Sequence, residues 1–275
     1  MRTSLEITLL PGADRIARLH RRAGAQLDNL CGPYWASILL NVVGVGATQE
    51  DVAVAAGTLL PASGDPASWI PQGEPNRDGY GREIRRTDDH GASGTSVAGL
   101  VSATSELCSG SFRFIPARAR SDEPLDELAL LWIVDMVDSN TTWEAGLVLN
   151  VRTGKLWGTH LPLFDALVYL SGGEITPPEP EWDVGHFVNV AGVLRGKTQA
   201  MLLLRDSYPS FGSAGYHLQP IEAVAAALRR DDGLRGGCLL FVSAEDAPAA
   251  ERELEEAGFD CNVWDNGTPY EGGTG

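Results

Sequence analysis

Apolar positions recur with two different periods along this chain, and the change of period divides it. Over 12–29, Ile16, Leu19, Ala23 and Leu27 return every three or four residues with arginines opposite, which predicts an amphipathic helix. A very apolar helix is predicted over 33–43, and Thr48-Gln-Glu-Asp-Val predicts a capped short helix over 49–56. Residues 60–93 are rich in Pro, Gly and Asp and predict a long loop. A helix over 96–107 and a strand over 112–117 follow. The apolar stretch 125–137 fits helix or strand, with helix favoured at its start.

Downstream the period shortens towards two. Residues 144–151 and 155–160 predict a hairpin, 163–170 a helix, and 173–184 an acidic, Pro-rich loop. Strands are predicted over 185–193 and 201–208, joined by a turn short enough for a hairpin. A short strand at 216–218, a helix over 220–230, a buried strand over 237–243, a helix over 247–257 and a last strand over 259–264 complete the order. Residues 266–275 hold too little apolar surface to order themselves and predict a disordered tail. Helices cluster early and strands late. The expected class is α+β, with a helical half packed on an antiparallel sheet half.

The chemistry concentrates at element ends. Cys31 stands in the run AQLDNLCGPYWASILLNVVG, at or just before a helix start. Free backbone N–H groups and the helix dipole there stabilise negative charge. Pro33 is tolerated because a first-turn N–H has no intrahelical partner to lose. A buried structural cysteine fits an apolar helix equally well. His186 opens one of the two late strands and Asp206 closes its neighbour, so antiparallel pairing brings them together. That is how a base and its orienting carboxylate are placed. A histidine ending a strand and an aspartate opening a turn would each be ordinary alone. Three such residues at three element ends, with a cysteine among them, point to a nucleophile, a base and an orienter.

These residues also resemble a known family. CGP after Gln-x-Asp-Asn, GHFV opening a strand and RDSYPS closing the next look like the papain-like cysteine peptidases, nearest to the double-glycine (bacteriocin-leader-processing) branch. The likeness covers residues 24–44 and 185–228, and 94–107 is similar to the helix those enzymes carry between their halves. The resemblance implies a papain-like fold in one domain over 1–265, with about 110–184 as an insertion. It implies Cys31 as nucleophile, His186 as general base and acid, Asp206 as orienter and Gln26 as oxyanion donor. The family usually has six positions from Gln to Cys; here there are five. The implied substrate is a peptide, such as a leader peptide cut behind a Gly-Gly or Gly-Ala pair, or a small amide. An acyltransferase or peptide cyclase uses the same chemistry, and a non-catalytic binding module on the same fold is a further alternative.

Composition narrows the partners. The 275 residues carry a formal charge of −16, which argues against nucleic acid or an anionic membrane and permits a basic peptide substrate. No apolar run is long enough to span a bilayer, and the N-terminal stretch does not read as a secretory signal. Cys31, Cys108, Cys238 and Cys261 show no metal-ligand spacing, so no metal or cofactor is expected, and free thiols point to the cytoplasm. His90 and Ser96 echo subtilisin-type motifs but lie only six apart, where a Gly-rich turn and a helix cap are the simpler account. His160 is expected at the surface. His217, near Asp206, is the rival to His186 as base. Finally, the loops 60–93 and 173–184 are expected to border the cleft, with Trp69 and Trp182 on its apolar wall.

Overall fold

The computed structural model of the chain describes residues 5–120, 125–141, 143, 146–230 and 233–270. The order is β1 (Glu6–Leu9), α1 (Ala13–Ala23), α2 (Cys31–Val42), α3 (Gln49–Ala55), β2 (Leu60–Pro61), β3 (Arg86–Thr87), α4 (Val97–Leu107) and β4 (Phe112–Ala119). Then come α5 (Glu127–Ser139), β5 (Gly146–Arg152), α6 (Leu163–Leu170), β6 (Gly185–Arg195), β7 (Ala200–Arg205), β8 (Tyr216–Pro220), α7 (Ile221–Arg229), β9 (Gly237–Ser243), α8 (Ala247–Glu256) and β10 (Phe259–Asp260). The class is α+β. One eight-stranded sheet runs β10-β4-β9-β5-β6-β7-β8, with β1 paired to β6, and its ladders are antiparallel. β2 and β3 form a separate parallel pair.

Both faces of this sheet are covered. Phe114, Val148, Phe187, Leu239 and Phe241 pack with α1, α2, α3 and α4. Their neighbours Ile115, Leu147, Leu149, Val188, Cys238 and Leu240 pack with α5, α7 and α8 on the other face. A strand buried on both faces needs apolar residues at every position, which is why 237–243 reads as an unbroken apolar run. The expected division into one helical and one sheet half is therefore corrected to a sheet between two helical layers.

Several boundaries move for identifiable reasons. α1 ends at Ala23 because Gly24 turns left-handed at φ 72°. The expected hairpin partner over 155–160 is no strand: residues 153–155 form a 3-10 turn, and β5 pairs β6 and β9 instead. Of the last expected strand only Phe259–Asp260 pairs, and Trp264 turns into the core. Residues 110–184, expected as an insertion, supply β4 and β5 within the sheet. Of the expected tail, Asn266 donates to the Thr95 carbonyl and Thr268 to that of Ser93. The rest of that expectation, from 271, lies outside the described residues. Thr48 and Asp51 form the expected capping box on α3.

Two contacts place α2 on β6. A Cβ added at Gly32 would lie 2.8 Å from the Leu100 Cδ1 atom and 3.2 Å from the Phe187 ring, so only glycine fits there without displacement. One turn on, fully buried Trp35 donates its indole N–H to the Phe187 carbonyl at 3.1 Å. We expect Gly32→Ala to destabilise the fold by about 1–3 kcal/mol through overpacking. Denaturant unfolding measures this; an unchanged midpoint would contradict the close approach.

Candidate active site

Cys31 is the first residue of α2, after the buried Leu30, whose carbonyl takes the Tyr34 N–H. As the first helical residue, Cys31 has a backbone N–H with no acceptor inside the helix. Its side chain is only partly buried, while the groups around it are buried almost completely.

His186 is 1% exposed and lies at the start of β6; Asp206 is 2% exposed and is the first residue beyond β7. Their strands pair antiparallel from Asn189↔Arg205, which brings these two ends together. His186 Nε2 sits 3.2 Å from both Asp206 carboxylate oxygens. Cys31 also stands near enough to His186 to act on its charge. With Nε2 committed to Asp206, Nδ1 is the ring nitrogen left for the sulfur. Burial alone would disfavour the imidazolium. The Asp206 charge, the hydrogen bond to it and the nearby Cys31 outweigh it and raise the His186 pKa to about 10. Burial likewise opposes the Asp206 anion, but the His186 charge wins and holds its carboxyl below the ordinary range.

Asp206 has two further buried histidines nearby, and neither is held as a cation. His217 Nε2 lies 4.0 Å from Asp206 Oδ2, outside hydrogen-bond range. Its tautomer follows from Gln219. That amide accepts from the Trp157 N–H at 2.8 Å and donates to the Trp157 carbonyl at 2.7 Å, which fixes its orientation. Gln219 Nε2 then donates to His217 Nδ1 at 3.0 Å, so the ring proton sits on Nε2, towards Asp206. Burial lowers the His217 pKa. His20 stacks on Trp35 at 5.2 Å, and burial with the Arg205 charge lowers its pKa to about 4. His186 is thus the base candidate and His217 is not.

Gln26 is 2% exposed and held by the segment after Asp206. Its Oε1 accepts from the Ser207 hydroxyl at 2.5 Å and its Nε2 donates to the Tyr208 hydroxyl at 3.1 Å. One N–H of the amide remains for another acceptor. The Tyr208 N–H donates to Asp206 Oδ1 at 3.0 Å. Trp182 covers the group: its ring centroid lies 5.2 Å from that of His186 and 5.4 Å from that of Tyr208.

The two long loops meet at a cavity of about 580 Å³, lined by Pro66, Ile70 and Glu74 on one side and by Glu181, Trp182 and Val184 on the other. Trp69 lies apart from Trp182, on a second cavity of about 180 Å³ that includes Asp28 and Asn29. Ser96 caps α4 by accepting the Gly99 N–H, while His90 and His160 are exposed. All four cysteines are free. Among the described residues no cluster of three or more His, Cys, Asp or Glu could hold a metal, and no helix is long and apolar enough to cross a membrane.

Sequence reasoning missed Ser207, Tyr208 and Asp28 as members of the site. The signal was present for all three, because each lies inside a run already singled out by its neighbours: RDSY and QLDNLC. Arg77 gave no signal. Its place over the Tyr208 ring, with the guanidinium carbon 5.7 Å from the centroid, depends on the path of an irregular loop.

Over residues 10–265 the chain matches a family described as one of unknown function (DUF6885), and it belongs to that family. No curated protein matches it.

The electrostatics around His186 have a measurable consequence. A raised pKa in the folded state means the pairing stabilises the protein fully below the ordinary value of 6.5 and is lost as pH rises through about 10. We expect the His186 imidazole, followed by NMR, to stay protonated through neutral pH. Asp206→Asn should move its titration down and remove that part of the pH dependence of unfolding. Titration below 6.5 in the unaltered protein would contradict the pairing.

Proposed function

We propose that the chain is a papain-like cysteine peptidase, working by acyl transfer through Cys31, His186 and Asp206. The observation that carries this reading is the buried His186–Asp206 pair at 3.2 Å, with the helix-start thiol of Cys31 near enough to act on the imidazole. A buried charged pair is costly to keep for stability alone, and here it ends on a partly exposed sulfur.

In this mechanism His186 holds the proton of Cys31, and the sulfur attacks a substrate carbonyl. The N–H of Cys31 and the remaining N–H of Gln26 meet the oxyanion. Such donors are typically worth about 3–4 kcal/mol each. His186 then protonates the leaving amine. Water resolves the thioester in a peptidase; an amine in that place makes the same site an acyltransferase or peptide cyclase. The substrate is a peptide or small amide, laid in the cleft between the loops 60–93 and 173–184, with Trp182 on its wall. The formal charge of −16 disfavours a nucleic-acid partner, and four free thiols fit a cytoplasmic protein.

Replacing the nucleophile by alanine closes the covalent route and removes only the sulfur, at the partly exposed edge of the core. We expect Cys31→Ala to lower turnover of a cleaved peptide by several orders of magnitude. Its melting temperature should stay close to that of the unaltered protein. Changing Cys108 or Cys261 to Ser should leave the rate nearly as it was. Peptide cleavage followed by mass spectrometry decides it, and undiminished cleavage by Cys31→Ala would end the cysteine mechanism.

A further inference from the structure

Asp28 lies three residues before Cys31, so the two α-carbons are at most about 11 Å apart. Both groups act on the same phenol: Cys31 and Asp28 each raise the Tyr208 pKa, after the larger effect of its burial. Asp28 is 2% exposed. Its backbone and one carboxylate oxygen are stitched to the loop opposite: the Arg77 N–H donates to Oδ2 at 3.1 Å, and the Tyr80 hydroxyl donates to the Asp28 carbonyl at 2.9 Å. The other oxygen, Oδ1, is buried and has no hydrogen-bond partner among the described residues. The neighbouring guanidinium does not supply one: Arg77 Nη2 is paired with Glu74, and its buried Nη1 makes no hydrogen bond to Asp28.

A buried carboxylate oxygen left unpaired is costly, and natural interiors rarely tolerate it without a reason. Asp28 belongs to the lining of the 180 Å³ cavity, together with Trp69 and Tyr80, whose rings suit a cation. Asp78 and Arg86 stand exposed at its rim, where water screens them, and Arg86 donates to the Pro61 carbonyl. Burial raises the Asp28 pKa against the pull of Arg77, so Asp28 is the buried acidic group of the cavity wall whose ionised form a cation would stabilise.

We propose that this cavity is a specificity pocket for a cationic group, such as a lysine or arginine side chain, on the acyl side of the bond that Cys31 attacks. This rests on the reading of Cys31 as nucleophile. It departs from the Gly-Gly or Gly-Ala preference implied by the resemblance to double-glycine peptidases, so the two are distinguishable.

The test uses the full chain and matched electrophiles. The chloromethyl ketones of N-acetyl-lysine, N-acetyl-norleucine, Nα,Nε-diacetyl-lysine and N-acetyl-glycine alkylate a thiolate with loss of chloride. They differ in the side chain offered to the cavity. Mass spectrometry reads the rate at which Cys31 is labelled, with iodoacetamide as a reference that needs no pocket. We expect the lysine probe to label Cys31 at least about tenfold faster than the norleucine and Nε-acetylated probes, the worth of one charge-assisted hydrogen bond. Asp28→Asn should bring that ratio close to one. Should this variant not fold, the Nε-acetylated probe on the unaltered protein tests the same charge. A lysine-to-norleucine ratio near one, fastest labelling by the glycine probe, or a ratio that survives Asp28→Asn, with iodoacetamide still labelling Cys31, overturns the pocket alone. If neither iodoacetamide nor any probe modifies Cys31, the nucleophile reading falls and the pocket with it.

Discussion

The close approach of α2 to β6 is the constraint on which the site depends. A helix carrying Cys31 at its start touches the strand carrying His186 at its start only if nothing stands between them. Gly32 provides the gap, and Trp35 fixes the separation by its hydrogen bond to the Phe187 carbonyl. The contact is apolar and fully buried, so it is rigid on the scale of a side chain. A similar tie holds the other flank. Buried Arg205 donates to Asn189 on β6 at 2.6 Å, to Tyr216 on β8 at 2.9 Å and to the Ala13 carbonyl at the start of α1 at 3.2 Å. Cys31 and His186 thus inherit their relation from the core.

The charge arrangement is economical in a physical sense. One buried carboxylate faces three buried imidazoles, and a single proton is stabilised among them. Hydrogen-bond geometry decides which imidazole holds it: His186 reaches both carboxylate oxygens, whereas His217 stands off at 4.0 Å and is hydrogen-bonded through Nδ1 alone, to Gln219. Desolvation keeps His217 and His20 neutral. The low-dielectric setting that strengthens the His186–Asp206 pair is the same one that disfavours a second cation.

Much of this was legible along the chain, because element ends and turn residues are local properties. The positions of Cys31, His186 and Asp206 at the ends of α2, β6 and β7 followed from periodicity and from the breaks at Gly32-Pro33 and the 196–199 turn. Other features were not legible. The second helical layer, of α5, α7 and α8, depends on long-range burial that no window of sequence reports. The partner choice of β5 was misjudged because turn-forming residues beside a strand do not say whether its neighbour is the next segment or one far along the chain. Asp28 lay in a run already singled out, but that its carboxylate is buried rather than solvated depends on the loop around Arg77 and Tyr80, far along the chain.

The site's members are unequally woven into the fold, and this bears on how such a protein would change over generations. Cys31 is partly exposed and packs only at the edge of the core, whereas Asp206 receives the Tyr208 N–H and neutralises a buried cation. Drift that abandons the chemistry would therefore strike Cys31 first at little structural cost, while the histidine and the aspartate would persist as scaffold. On the proposed reading, a relative with Ser or Ala at the start of α2 and an unaltered His–Asp pair would have given up the chemistry and kept the fold. One that has lost the aspartate but kept the cysteine would have had to rebuild its interior.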